Sequence, residues 1–213
     1  IWTIPELYDD LNLWNTKKDQ SILPMVFTFD GLGRNQSFVG IDNTSAGYSA
    51  TRHLIEHGCK KIGHISGPKC SIEAKSRKQG WEKALLEENH NPEIVYECDW
   101  DGKNMETCIS QILGKWPELD GIFAVNDLCA LSAISALQKK NRSVPKDVKV
   151  IGFDDIRFLN YIQPSLTSIH QDFFTIGLAA AKEMQLRIQD PARIPQNNLI
   201  PTELITRHSC GCK

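Results

Sequence analysis

Several features that would mark a function class are missing from this sequence. There is no dense basic block: 24 Lys and Arg stand against 26 Asp and Glu, a formal net charge of -2. Phosphate contacts need clustered Lys and Arg, so these residues are not expected to bind nucleic acid themselves. No apolar run reaches transmembrane length, and no signal peptide stands at Ile1. Ile1 is not a natural start, so a piece of a longer protein is expected. The P-loop, the Gly-x-Ser-x-Gly elbow and the His-Glu-x-x-His motif are absent, as are internal repeats and low-complexity tracts.

Two features are present but do not carry their usual meaning. The seven cysteines are odd in number and scattered through apparent strands and helices. They do not read as a disulfide framework, and a reducing, cytoplasmic setting fits them better. The run His208-Ser209-Cys210-Gly211-Cys212 invites a zinc reading. A structural zinc site needs four ligands, and no second Cys or His pair sits at finger-like spacing, so no metal and no cofactor is expected.

At 213 residues the chain has room for one domain or two modest ones. Its most legible stretch is 120–155. A short apolar run, 121–125, leads into a segment where Leu128, Leu131, Ile134 and Leu137 recur at three-residue spacing. A second apolar run, 148–153, ends in Asp154 and Asp155. Asn126 and Asp127 stand where a helix N-cap is needed, and Asn141 where a left-handed C-terminal residue commonly sits. Apolar runs without alternation suit parallel strands covered on both faces, and the helix between them suits a right-handed crossover. Ligands of such sheets bind outside the carboxyl ends of the strands. Asn126 and Asp154 fall at two such ends.

The rest of the chain continues the α/β pattern. Strands are expected at 1–4, 25–29, 38–41, 61–65, 94–98, 166–170 and 202–206. Helices are expected from Pro5 onward with Leu7, Leu11 and Trp14 inward, and at 45–57, 71–89, 104–115 and 174–188. Residues 191–201, with three prolines, read as a linker.

A second set of residues makes the chain recognisable. Val125-Asn126-Asp127, Ala130-Leu131, Val144-Pro145-Lys146-Asp147-Val148, Gly152-Phe153-Asp154-Asp155, Pro164-Ser165-Leu166-Thr167 and Gln171-Asp172 occur in that order. Together they resemble the effector-binding domain of the lactose/galactose repressor (LacI/GalR) family. The resemblance covers nearly all of the chain from Pro24 onward. It implies a two-lobe periplasmic-binding-protein-like α/β fold, with parallel sheets flanked by helices. Residues 1–42 plus 170–199 would form a partial N-terminal lobe, and 43–169 plus 200–213 the C-terminal lobe. The first lobe would be incomplete, because the family's domains begin with a strand-helix-strand-helix segment, and before it a DNA-binding headpiece, that do not precede Ile1 here.

What the resemblance implies about function is a non-enzymatic sensor. A small polar effector, a sugar or related metabolite, would bind between the lobes and control operator binding by a headpiece outside this chain. The family dimerises through surfaces that include the helix of residues 127–140. Hydroxyl-rich ligands need a carboxylate acceptor, an Arg fork, an amide and an aromatic face. Asp154, Arg77, Asn126 and Trp100 supply that set, with Asp30, Gln171 and Phe173 as first-lobe candidates. Taken singly, Asn126 reads as a helix cap, Arg77 as a solvated helix charge, and Trp100 and Phe173 as core. No catalytic residue is expected: adjacent Asp154 and Asp155 are poorly placed for the facing carboxylates of glycoside hydrolysis.

Two rivals remain at this level. The Ser-Cys-Gly-Cys ending, with Gly67-Pro68, Glu73-Ala74 and Arg77, resembles a family branch whose sensor is joined to another signalling output. A free solute-binding protein would need an upstream signal peptide, and the seven cysteines count against it.

Overall fold

The computed structural model describes residues 26–28 and 37–212. The strand at 1–4, the helix after Pro5 and Asp30 with its glycine loop lie outside the described residues. The chain divides into two compact units, one of residues 1–42, 70–73 and 172–201, the other of 43–69, 74–171 and 202–213.

The first unit holds a small parallel sheet of β1 (Val26–Phe27), β2 (Ser37–Gly40) and β8 (Asn197–Leu199), in the order β1-β2-β8. The proline-rich stretch expected to be only a linker therefore contributes a strand. The helix α5 (Phe173–Gln189) belongs to the same unit and starts at Asp172. Asp172 Oδ1 accepts from Thr175 N at 2.9 Å, the usual N-cap bond. Ser37 is buried and fully used: its hydroxyl donates to Glu183 at 2.6 Å and accepts from Arg187 Nη1 at 3.0 Å and from Gln196 N at 3.1 Å.

The second unit is built on six strands: β3 (Ile62–Ser66), β4 (Val95–Glu97), β5 (Gly121–Ala124), β6 (Lys149–Asp154), β7 (Thr167–His170) and β9 (Glu203–Ile205). Their order is β4-β3-β5-β6-β7-β9, and every pairing is parallel except β7 with β9. The runs 121–125 and 148–153 are neighbours in this sheet, as their continuous apolarity predicts.

Both faces of the sheet are covered. On one face lie α3 (Met105–Lys115) and α4 (Asp127–Lys139), whose Cys108, Ile109, Ile112, Cys129, Ala133 and Leu137 share a core with Ile65, Ile122 and Val150. Leu128 departs from the three-residue pattern: it is 48% exposed, and the inward face of α4 runs instead through Cys129, Ala130, Ala133, Ala136 and Leu137. A 3.6-residue repeat cannot keep every third residue inside, and small side chains let α4 sit close to the sheet.

On the other face lie α1 (Asn43–Glu56) and α2 (Ile72–Glu87). Trp81 of α2 stacks on His64 at 5.6 Å, His64 on Phe123 at 5.0 Å, and Phe123 meets Phe153 at 6.5 Å. The two helices cross with their backbones touching. A Cβ on Gly80 would overlap the Thr44 carbonyl, and one on Gly47 would overlap the Arg77 carbonyl. No helix among the described residues is long and apolar enough to cross a membrane.

Candidate functional site

The site grows from the carboxyl ends of β5 and β6. At the first, Asn126 turns the chain from strand to helix: its backbone is extended and its Oδ1 accepts from Cys129 N at 2.8 Å. Its Nδ2 donates to the Trp100 carbonyl at 2.8 Å. The side chain therefore caps α4 and ties down the loop after β4. The Trp100 ring packs against the core and approaches Gly67.

Arg77 comes from α2 and is not a solvated charge. Its side chain is 6% exposed. Nε donates to Asn43 Oδ1 at 2.9 Å and Nη1 to the Val125 carbonyl at 2.6 Å. Its Cζ lies 3.6 Å from the centroid of the Phe153 ring. A guanidinium tolerates this burial because its donors meet acceptors and its face meets an aromatic quadrupole. Gly80 and Gly47 make the placement possible, because they let α2 approach α1 closely enough for Arg77 to reach Asn43.

Asp154 ends β6 with φ at 108°, a region that side-chain-bearing residues rarely adopt. Its Oδ1 accepts from Gln171 Nε2 at 2.6 Å and lies 3.9 Å from Arg77 Nη1. Burial pushes its pKa above the ordinary carboxylate value, against the pull of Arg77 and the Gln171 hydrogen bond. With 24% of its side chain exposed against 6% for Arg77, Asp154 is the group of the pair that faces solvent.

The next residue points elsewhere. Asp155 Oδ1 accepts from Arg207 Nη2 at 2.7 Å and Oδ2 from His170 Nδ1 at 3.1 Å. Asp154 and Asp155 thus serve different partners and do not face one another across a common substrate position. Beneath them Asp127 is buried, accepting from Ser168 Oγ at 2.6 Å and Ile156 N at 2.9 Å. Burial raises its pKa to about 7, in spite of those two bonds and with help from Asp154 and Asp155.

Of the sequence candidates, Arg77, Asp154 and Gln171 come together as one hydrogen-bonded and ion-paired group, and Asn126 with Trp100 forms an adjoining one. Phe173 is 60% exposed at the start of α5, in the first unit, and Asp30 lies outside the described residues. Asn43, Phe153 and Asp127 are further parts of the arrangement. Phe153 was hidden among strand residues, and nothing in its spacing distinguishes a ring that receives a guanidinium from one that fills a core. Asp127 carried a signal that read as capping alone.

Polar groups are thus gathered at the carboxyl ends of β5 and β6. The model of the periplasmic binding protein-like domain matches residues 51–210, and the chain belongs to that family. Its relatives include the ribose operon repressor of Halalkalibacterium halodurans, 31% identical over 191 residues, or 90% of this chain and 57% of that protein. The transcriptional repressor PurR of Histophilus somni is 35% identical over 94% of this chain and 60% of its own length. Among solved structures, the complex of the transcriptional regulator CelR with cellobiose superposes with a TM-score of 0.82 at 31% identity, over 86% of this chain and 58% of that one. The chain thus spans between 57% and 60% of the length of these relatives.

Proposed function

We propose that this chain is the effector-sensing and dimerisation domain of a LacI/GalR-type transcriptional regulator, without enzymatic activity of its own. The effector is a small polar molecule of the sugar class. Asp154 accepts from its hydroxyls, Arg77 and Gln171 hold the carboxylate in place, and Trp100 offers a ring face to its C–H surface, with Phe173 a candidate by resemblance. Asn126 contributes by fixing the Trp100 loop, and Asp30 is a further candidate by resemblance. The carrying observation is the part-exposed Asp154 carboxylate, aimed by Gln171 at 2.6 Å and backed by buried Arg77 at 3.9 Å. A carboxylate with one oxygen already engaged and its face toward solvent is suited to hydroxyl recognition.

The regulator works in the cytoplasm as a homodimer, and binds operator DNA through a headpiece outside this chain. For effector binding to alter DNA binding, the effector must favour one conformation over another, since equal affinity for both transmits nothing. Exposed Leu128 and half-exposed Leu131 on α4 supply apolar surface for the dimer contact.

The test is a thermal-shift screen of the full-length protein against pentoses, hexoses, β-linked disaccharides such as cellobiose, sugar phosphates and nucleosides. A ligand at 100 times its Kd stabilises by about 2.7 kcal/mol. A sugar that raises Tm in the native protein but not in Asp154→Asn supports the reading. A stabilising ligand indifferent to Asp154, or no stabiliser among sugars, overturns it.

A further inference from the structure

His53 and His57 stand one helical turn apart, at the end of α1, with ring centroids 4.0 Å apart. The end of the described chain packs against them. Cys212 Sγ lies 3.2 Å from His57 Nε2 and 3.6 Å from His53 Nε2. Cys210 Sγ lies 3.3 Å from His53 Nε2. One ligand atom each from His53, His57 and Cys212 falls within 4.8 Å of the others.

These separations are those of a coordination shell. A tetrahedral zinc ion with Zn–N of about 2.0–2.1 Å and Zn–S of about 2.3 Å has N···S edges of about 3.5 Å. The two N···S distances from Cys212, 3.2 and 3.6 Å, bracket that value. Two imidazoles and a thiolate are donors that zinc takes.

The surroundings orient the ligands. His57 Nδ1 donates to the His53 carbonyl at 2.8 Å, which leaves its Nε2 as the lone-pair nitrogen facing Cys212. Cys210 is buried within a short 3-10 turn, His208–Cys210, and Thr167 Oγ1 donates to its sulfur at 3.0 Å. Gly211, with φ at 88°, reverses the chain and brings Cys212 back onto both histidines. Cys212 is part-buried, so an ion has a route from solvent.

We infer that His53, His57 and Cys212 form a binding site for one zinc ion, which joins the end of α1 to the turn at residues 210–212. Binding converts the Cys212 thiol to a thiolate and releases one proton, while the two imidazoles bind neutral. The fourth position of a tetrahedral ion is left to water, with the buried Cys210 thiol beside His53.

The test uses the full-length protein, reduced and stripped with a chelator. Zinc is titrated against a chromophoric competitor, and cobalt(II) is then added in place of zinc. The expected result is one zinc equivalent that Cys212→Ser and His57→Gln each weaken by more than about 100-fold, while exposed Cys70→Ser leaves it unchanged. The cobalt form should show intense visible bands and a near-ultraviolet thiolate charge-transfer band, both reduced in Cys212→Ser. Cys212 and His57 are part-buried, and far-UV circular dichroism confirms that each variant is folded. Absence of bound zinc, retention of native affinity in either folded variant, or a weak octahedral cobalt spectrum overturns the inference and makes the cluster a hydrogen-bonded one.

Discussion

The guanidinium carbon of Arg77 sits 3.6 Å from the centre of the Phe153 ring, one residue before the carboxylate that its Nη1 approaches to 3.9 Å. Two consecutive residues of β6 therefore hold the same cation, one through its face and one through its edge. Arg77→Lys removes the planar fork and leaves the Asn43 oxygen or the Val125 carbonyl short of a donor. The expected cost is about 1–3 kcal/mol in urea denaturation, with loss of effector stabilisation. A variant as stable as the native protein would show that Arg77 does not hold the strand ends.

Asp154→Asn keeps the shape of the side chain and the Gln171 contact at its oxygen, but it weakens the pull on Arg77 and on ligand hydroxyls. Stability should change by less than about 1 kcal/mol, because the two charges are 3.9 Å apart, Asp154 is part-exposed, and Arg77 keeps its bonds to Asn43 and the Val125 carbonyl. Asp154→Gly relieves a backbone cost of order 1–3 kcal/mol while removing the Gln171 acceptor, and the two effects oppose one another. Both variants should melt near the native temperature and bind no effector by calorimetry.

Asp127 and His64 give opposite contributions to stability against pH. The Asp127 pKa is raised to about 7 in the folded protein, so the folded state holds a proton that the unfolded chain has lost, and stability falls as pH rises from about 4 to about 7. The His64 pKa is lowered to about 3 by burial, against its bond to the Phe123 carbonyl, so stability falls as pH drops from about 6.5 toward 3. Over their shared window the two offset. Asp127→Asn should remove the first term, so that stability, measured by urea titrations between pH 4.5 and 7 (roughly the shared window), rises with pH more steeply than in the native protein.

Glycines separate the tight crossings from the open positions. Gly80→Ala drives a methyl group into the Thr44 carbonyl and should cost several kcal/mol, on the order of 3, through forced separation of α1 and α2. Gly114 lies inside α3 with nothing near its Cβ position, so Gly114→Ala should stabilise by about 0.5–1 kcal/mol. Chemical denaturation of the two variants side by side checks both signs.

The middle of the sheet was legible because β5 and β6 are nearly unbroken apolar runs, and their ends were legible because Asn126 and Asp154 stop those runs abruptly. Arg77 was singled out by resemblance. Its burial was not readable, since a charge at one position of a helix carries no mark of the ring and carbonyl that will receive it. The strand at 197–199 was missed because Asn-Asn-Leu between prolines has no strand signature, and its pairing comes from β2. The His53-x-x-x-His57 spacing was present all along within a predicted helix, where two histidines four apart share a face. Only the return of residues 210–212 to that face gives the spacing a partner.

The antiparallel edge strand β9 comes from residues 203–205, while its neighbour β7 ends at residue 170 and its unit begins at residue 43. During synthesis, the sheet order β4-β3-β5-β6-β7 can form while β7 still presents an unpaired edge. The edge is closed only after the intervening residues, which belong to the other unit, have left the ribosome. The nascent chain therefore passes through a stage in which a nearly finished sheet offers one open strand, and chaperone contact or mispairing during that interval should concentrate on residues 167–170.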